Sequence, residues 1–360
     1  MKLRKRLGNI FSGSSADALL LMNSDTFDSN FLYLTGFTSG VFEDAILIAG
    51  RESMTLLTNS LEYQTAMEQK PAMMKVVSIG SRAEMQKSLR EELEGRTVGI
   101  NESFLSVSRY KALKKMAAPK RFIGIGKELQ KARAVKDEDE IASMRKAVWI
   151  TKTAMNSVES VLEAGMTEKQ LAAKFDYVME SQGSQKNAFD TIVSFGANAA
   201  MPHHMPDMSK LRENSIVLVD AGAKWDNYCA DMTRTFVFKP DRKSEKFKKI
   251  EDMIRVVSDA QRAGFENIRD GAQACDAHNA AADVINKAHG GIYKGRFIHS
   301  LGHSVGIDVH DGYVGLAASL KMKLKAGMVL SDEPGIYIPG FGGVRIEDDV
   351  LVKRNGAEVL

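Results

Sequence analysis

Five residues place oxygen or imidazole donors in apolar or glycine-flanked surroundings. Asp220 and Asp231 stand eleven residues apart in the stretch 216–238, and His303 ends Ile298-His299-Ser300-Leu301-Gly302-His303. Glu333 lies in Asp332-Glu333-Pro334-Gly335, and Glu347 closes Gly343-Val344-Arg345-Ile346-Glu347. A carboxylate aimed into an apolar core without a partner loses its hydration and gains nothing in return. Taken together, the set reads as an oxygen-rich site for two divalent cations.

Spacing supports this reading. Val217-Leu218-Val219-Asp220 runs toward the polar Lys224-Trp225-Asp226-Asn227, and Tyr228-Cys229-Ala230-Asp231 returns. A turn centred between Trp225 and Asp226 sets Asp220 directly opposite Asp231 on one face, with Cβ atoms about 4.5 to 5.5 Å apart. Two carboxylates that close repel, so one must be protonated or a cation must lie between them. Two metal ions roughly 3.5 to 4 Å apart would use both. His299 and His303 are four apart, yet Ser300 stands where a zincin has glutamate, which argues against a mononuclear zinc peptidase. His303 and His310 fit better as one ligand and one hydrogen-bonding group on a strand or loop. Strand alternation puts Arg345 and Glu347 on one face. Four carboxylates and an imidazole suit Mn, Co, Fe or Zn and do not rank them.

The elements that must position these groups fall into two parts. Ala18–Met22, 45–48, 54–58, 75–79 and 97–100 read as strands and 81–94 as a helix, so the first part is an α/β layer domain closing near 122–125. An aromatic segment, 30–37, ends in a glycine turn. Beyond Lys127 the composition turns to charged helix: Asp137 with Glu140 forms a capping box, a second helix starts at Thr167 with Gln170, and a third runs from about Ser244. Strands bracket them at 191–195, in the hairpin and from Gly327 onward, which makes the second part α+β. Gly290-Gly291 and Gly342-Gly343 read as turns. The expected domains are 1–126 and 127–360.

Composition excludes other classes. With 360 residues, 44% hydrophobic, 26% charged and a net charge of +3, the balance suggests neither nucleic acid nor a membrane as partner. Two cysteines, Cys229 and Cys275, form no metal pattern or disulfide framework, so a reduced, cytoplasmic protein is expected.

These motifs resemble the pita-bread metallopeptidases, in their proline-specific branch of Xaa-Pro dipeptidases (prolidases) and Xaa-Pro aminopeptidases. Leu32-Tyr33-Leu34-Thr35-Gly36-Phe37 looks like the creatinase-type amino-terminal domain, and Arg133-Ala134-Val135-Lys136-Asp137-Glu138-Asp139-Glu140-Ile141 like the entry to the pita-bread catalytic domain. The resemblance implies that Asp220 ligates one metal, His303 and Glu333 the other, and that Asp231 and Glu347 bridge both. The metals it implies are Mn or Co, with Zn or Fe as further options, and a hydroxide between them attacks the bond before proline. Glu333 then moves the proton, His310 and His203 steady the oxyanion, and His299, Tyr337 and Arg345 surround the ligands. The implied partners are a small peptide with proline second and another copy of the chain in a homodimer.

Two departures stand out. Asp311-Gly312-Tyr313-Val314 replaces a pattern with glutamate, proline and, in many prolidases, an arginine that holds the dipeptide's carboxylate. Asp332 replaces an apolar residue. A non-catalytic module of the same fold, or an aminopeptidase of other specificity, is the alternative, although no ligand position is lost.

Overall fold

The computed structural model describes residues 2–360, which divide into two compact units after Arg133. The first is built on a six-stranded sheet in the order Met74–Ser78, Met54–Thr58, Ile46–Ala49, Ala18–Met22, Thr97–Ile100, Arg121–Gly124. Its central strands are almost wholly buried, which explains their uninterrupted apolar runs, whereas the two edge strands alternate or stay half exposed. The aromatic segment is a short helix, Ser29–Thr35, capped by Asp28 and ended by Gly36 at φ 70°. A helix the sequence reading missed, Lys2–Ser12, buries Leu7, Ile10 and Phe11 along one stripe. The division lies seven residues past the expected 126/127 boundary, because the helix Gly126–Ala134 buries Leu129 and ties Arg133 to Asn30 at 3.1 Å within the first unit.

In the second unit the helices Glu138–Val161 and Glu168–Ser181 both open with complete capping boxes, at Asp137/Glu140 and Thr167/Gln170. Glu245–Glu266 starts at its cap Ser244 and packs against Ala274–Lys287. The strand Ser215–Ala221 is flanked on both sides by antiparallel neighbours, Ile192–Phe195 and Met232–Phe238.

The hairpin register differs from expectation. Trp225 pairs with Tyr228 around the two-residue turn Asp226-Asn227, whose φ values are 51° and 70°. Two-residue hairpin turns of type I′ need φ above zero at both positions, and Asp and Asn tolerate it better than Trp. Asp220 therefore faces Thr233, and Asp231 sits two residues back as a diagonal neighbour. Both carboxylates still point to one face, because side chains two apart on a strand share it.

The C-terminal ladder is broken once. Val329–Asp332 pairs with Asp348–Lys353, and Gly335–Ile338 pairs with Gly342–Arg345 in the same running register. That register, carried through the gap, sets Glu333 opposite Glu347. Pro334 has no N–H to give the ladder there. The two glutamates bond elsewhere: Glu333 N donates to Leu301 O at 2.8 Å, and Glu347 N to Thr233 O at 3.1 Å. Gly342-Gly343, expected as a turn, instead begins a strand. A Cβ on Gly343 would lie 2.0 Å from Ala199 O, so the pair admits a neighbouring backbone rather than a bend.

Gly302 plays the same part beside His303, since a Cβ there would lie 1.9 Å from Ser331 O. Because that obstacle is backbone, Gly302→Ala should cost about 1–3 kcal/mol of stability, read as a lower denaturant midpoint. A variant as stable as the parent would show that the strands are not in this contact.

Candidate metal centre

Four segments converge on one pocket. The hairpin supplies Asp220 and Asp231, the short strand Gly302–His303 supplies His303, and the broken ladder supplies Glu333 and Glu347. Ligand atoms of Asp231, His303 and Glu347 all lie within 4.8 Å of one another. His303 Nε2 is 3.5 Å from Asp231 Oδ2 and 3.4 Å from Glu333 Oε1. Asp220 joins through Arg345, whose guanidinium donates to Asp220 Oδ2 at 2.6 Å, to Tyr337 Oη at 2.9 Å and to Thr233 Oγ1 at 3.0 Å.

Hydrogen bonding assigns the proton positions. Thr233 receives from Arg345, so its own hydroxyl donates to Glu347 Oε2 at 2.6 Å. Tyr337 receives from Arg345 and lies 2.8 Å from His299 Nε2, while His299 Nδ1 lies 2.8 Å from Ser300 O. A neutral His299 with its proton on Nδ1 satisfies both contacts, with Tyr337 donating to Nε2. Burial lowers the His299 pKa to about 4, which keeps it neutral.

The carboxylates are crowded and dry. Burial raises Asp231, Glu347 and Glu333, with the other carboxylates adding to the rise, and Glu333 is pushed up to about 8. His303 is lowered to about 4, chiefly by burial, and its Nδ1 lies 3.3 Å from Ser304 O. The neutral ring then turns the lone pair of Nε2 toward the Asp231 and Glu333 oxygens, a contact that either a carboxyl proton or a cation satisfies. Oδ1 of Asp220 and Oδ1 of Asp231 are buried with no hydrogen-bond partner. A buried cluster of four acids and an imidazole in which two oxygens go unmatched fits divalent cations. Asp220, Asp231, His303, Glu333 and Glu347 are the residues that would hold them.

A second acidic group tests the same argument in reverse. Glu168, His204 and Asp207 also lie close enough to share an ion. There the Glu168 oxygens already accept from Phe195 N, Asn198 Nδ2, Asp207 N and His204 Nε2, at 2.7 to 3.0 Å. A carboxylate has about four acceptor sites, so this one is saturated without metal.

The remaining sequence candidates fall around the pocket. The His310 ring lies 4.1 Å from that of His303, and the next residue, Asp311, forms a fully buried ion pair with Lys136 at 3.3 Å. His203 is exposed and lies outside the cluster of donors, but its charge acts on His299. Sequence reasoning missed Thr233, Ser331 and Asp349. Thr233 stands two residues after Asp231, and Ser331 and Asp349 each lie two from a glutamate, a same-face spacing that gives the only signal for them. Asp349 Oδ2 accepts from Asp231 N at 3.0 Å, and Ser331 Oγ accepts from His303 N at 3.0 Å. Asp332 is buried opposite Asp348 and has neither oxygen hydrogen-bonded, so burial and that neighbour raise its pKa well above the usual range.

Residues 142–354 match metallopeptidase family M24, and residues 4–135 match the creatinase/prolidase N-terminal domain. An Xaa-Pro dipeptidase of Pyrococcus horikoshii is 34% identical over 358 residues, covering 99% of this chain and 95% of that protein. An uncharacterized peptidase of Staphylococcus epidermidis is 31% identical, with 99% and 97% covered. Among solved structures, an X-Pro aminopeptidase from Thermotoga maritima superposes with a TM-score of 0.87 at 29% identity, covering 97% of this chain and 96% of that one. Prolidase from Pyrococcus furiosus gives a TM-score of 0.83 at 31% identity, with 97% of each chain covered.

The electrostatics predict how metal and pH interact. A carboxyl whose pKa rises on folding adds stability fully present below its ordinary value of 4.5, and this is lost as pH climbs through about 8, the folded value for Glu333. Bound cations remove that loss by favouring the charged form. The rise in melting temperature on adding Mn2+ to metal-stripped protein should therefore be larger at about pH 8.5 than at about pH 5.5. Equal rises at both would contradict the crowding of acids in this pocket.

Proposed function

The chain belongs to metallopeptidase family M24, and from that premise we propose that it is a metal-dependent exopeptidase cleaving the bond between a first residue and a following proline. One observation carries the reading: the complete oxygen-and-imidazole pocket, with its unmatched Asp220 and Asp231 oxygens, lies in a chain alike over nearly its whole length to an Xaa-Pro dipeptidase. We propose two ions, Mn2+ or Co2+, held by Asp220, Asp231, His303, Glu333 and Glu347. Bound there, they would supply Lewis acidity at the scissile carbonyl and lower the pKa of water beside it.

The chain's own residues do the rest. Glu333, raised toward neutrality by burial, is suited to take a proton and deliver it to the leaving proline nitrogen. His310 and His203 would donate to the developing oxyanion. Arg345 and Thr233 fix Asp220 and Glu347, so these ligands need no reorganisation during the reaction. Asp311-Gly312-Tyr313-Val314 lacks the arginine that the prolidase resemblance associates with a dipeptide's carboxylate, which favours acceptance of longer peptides as well. We further propose a cytoplasmic homodimer, a location consistent with the two buried free cysteines, Cys229 and Cys275.

Metal-stripped protein should cleave neither Met-Pro nor a longer peptide beginning Met-Pro, and Mn2+ or Co2+ should restore cleavage. Asp231→Asn should lose bound metal and at least ~100-fold in kcat/KM, since even outer partners of a metal site typically carry 10–100-fold. Metal-loaded parent protein that cleaves neither peptide would overturn the proposal.

A further inference from the structure

The segment between the strands Ile192–Phe195 and Ser215–Ala221 carries His203 and contains only one short element of regular structure, the 3-10 turn Gly196–Ala200. Its middle buries little apolar side chain, because Met201, Met205 and Met208 are 50%, 62% and 69% exposed, whereas Ala199 and Leu211 toward its ends are buried. Such a stretch is ordered only by specific anchors. At its start the backbone lies on the glycine pair of the neighbouring strand: a Cβ on Gly343 would meet Ala199 O at 2.0 Å, and one on Gly342 would meet Gly196 O at 2.7 Å.

The far end of the segment is held by backbone bonds to the residues before and in the next helix, with Leu211 N donating to Met166 O at 2.7 Å and Glu168 N to Ser209 O at 3.2 Å. The stretch between the two ends is held by a single carboxylate. Glu168, in the first turn of the helix Glu168–Ser181, is completely buried. Its Oε1 accepts from Phe195 N at 2.7 Å and Asn198 Nδ2 at 2.9 Å, and its Oε2 from His204 Nε2 at 2.7 Å and Asp207 N at 3.0 Å. These donors run from Phe195 to Asp207 and include the residue next to His203. A buried carboxylate needs such donors, and the segment needs such an acceptor. None of these hydrogen-bond partners is one of the five pocket residues.

Resting on the peptidase reading above, we propose that Glu168 is a positioning residue that fixes the 195–207 segment and thereby aims His203 at the substrate, with His204 as the latch. In Glu168→Gln an amide N–H must face N–H donors, which opens one side of the clamp while keeping the side chain's size. A displacement of about 1 Å at a positioned group can cost ~100-fold, so a loss of up to that size in kcat/KM is expected.

The decisive measurement is a double-mutant cycle. If Glu168 acts through His203, Glu168→Gln should lower kcat/KM in the parent and have almost no further effect in a His203→Ala background. Bound metal should stay at the parent's level, amide exchange over 195–207 should quicken, and His204→Gln, which keeps a donor, should retain activity that His204→Leu loses. Equal losses in both backgrounds, unchanged exchange, or loss of metal from Glu168→Gln would each overturn the proposal. Asn198→Ala, which removes one neutral donor, provides the same cycle if Glu168→Gln does not fold. The exchange measurement needs no turnover, so it tests the clamp even if the peptidase reading fails.

Discussion

Acids buried close together in a dry pocket cannot all be charged unless positive charge joins them, and this constraint shapes the second unit. Asp220, Asp231, Glu333 and Glu347 share the space with one guanidinium, Arg345, which contacts only Asp220 among them. Burial opposes the charge on Arg345, yet the surrounding Tyr337, Asp220, Glu347 and Glu333 hold it firmly as the cation. One positive charge against four carboxylates leaves the pocket short of cations by more than one unit. The pocket must therefore take up protons or bind cations, a consequence of how the chain folds.

The fold bears this strain because each acidic segment is fastened to another segment of the same site. Glu347 N bonds to the hairpin at Thr233 O, Glu333 N bonds to the histidine segment at Leu301 O, and Asp231 N bonds to Asp349. Each bond satisfies a backbone donor that a regular ladder would otherwise have used. Pro334 enforces the break that frees Glu333 and Glu347 from pairing across the sheet. The acids are thus held together by backbone geometry, and Thr233, Ser331 and Asp349 act as fasteners.

Much of this was legible in the sequence, for physical reasons that differ by element. Capping boxes at Asp137 and Thr167 and the central strands of the first unit were readable because local chemistry determines them. Opposing Asp220 and Asp231 requires a turn centred between Trp225 and Asp226, whereas the backbone turns where Asp226 and Asn227 accept positive φ. Gly342-Gly343 was misread because a glycine pair marks either a bend or a close approach, and only tertiary structure shows the Ala199 carbonyl above it. The helix Lys2–Ser12 was missed because four basic residues mask the spacing of Leu7, Ile10 and Phe11. Glu168 had no functional signal at all, since a glutamate in the first turn of a helix is also what capping demands.

Proximity of acids alone does not identify a metal site, and this chain shows why. Among the described residues two groups bring acids and a histidine equally close together, one around Asp231 and one around Glu168. Around Glu168 every oxygen is matched by an N–H, so the charge is spent on holding backbone in place. Around Asp231 the donors run out: Asp220 Oδ1 and Asp231 Oδ1 have none, and the His303 ring turns a lone pair toward carboxylates. What separates the two is the supply of hydrogen-bond donors, which Glu168 has for both oxygens and Asp220 and Asp231 lack for one oxygen each.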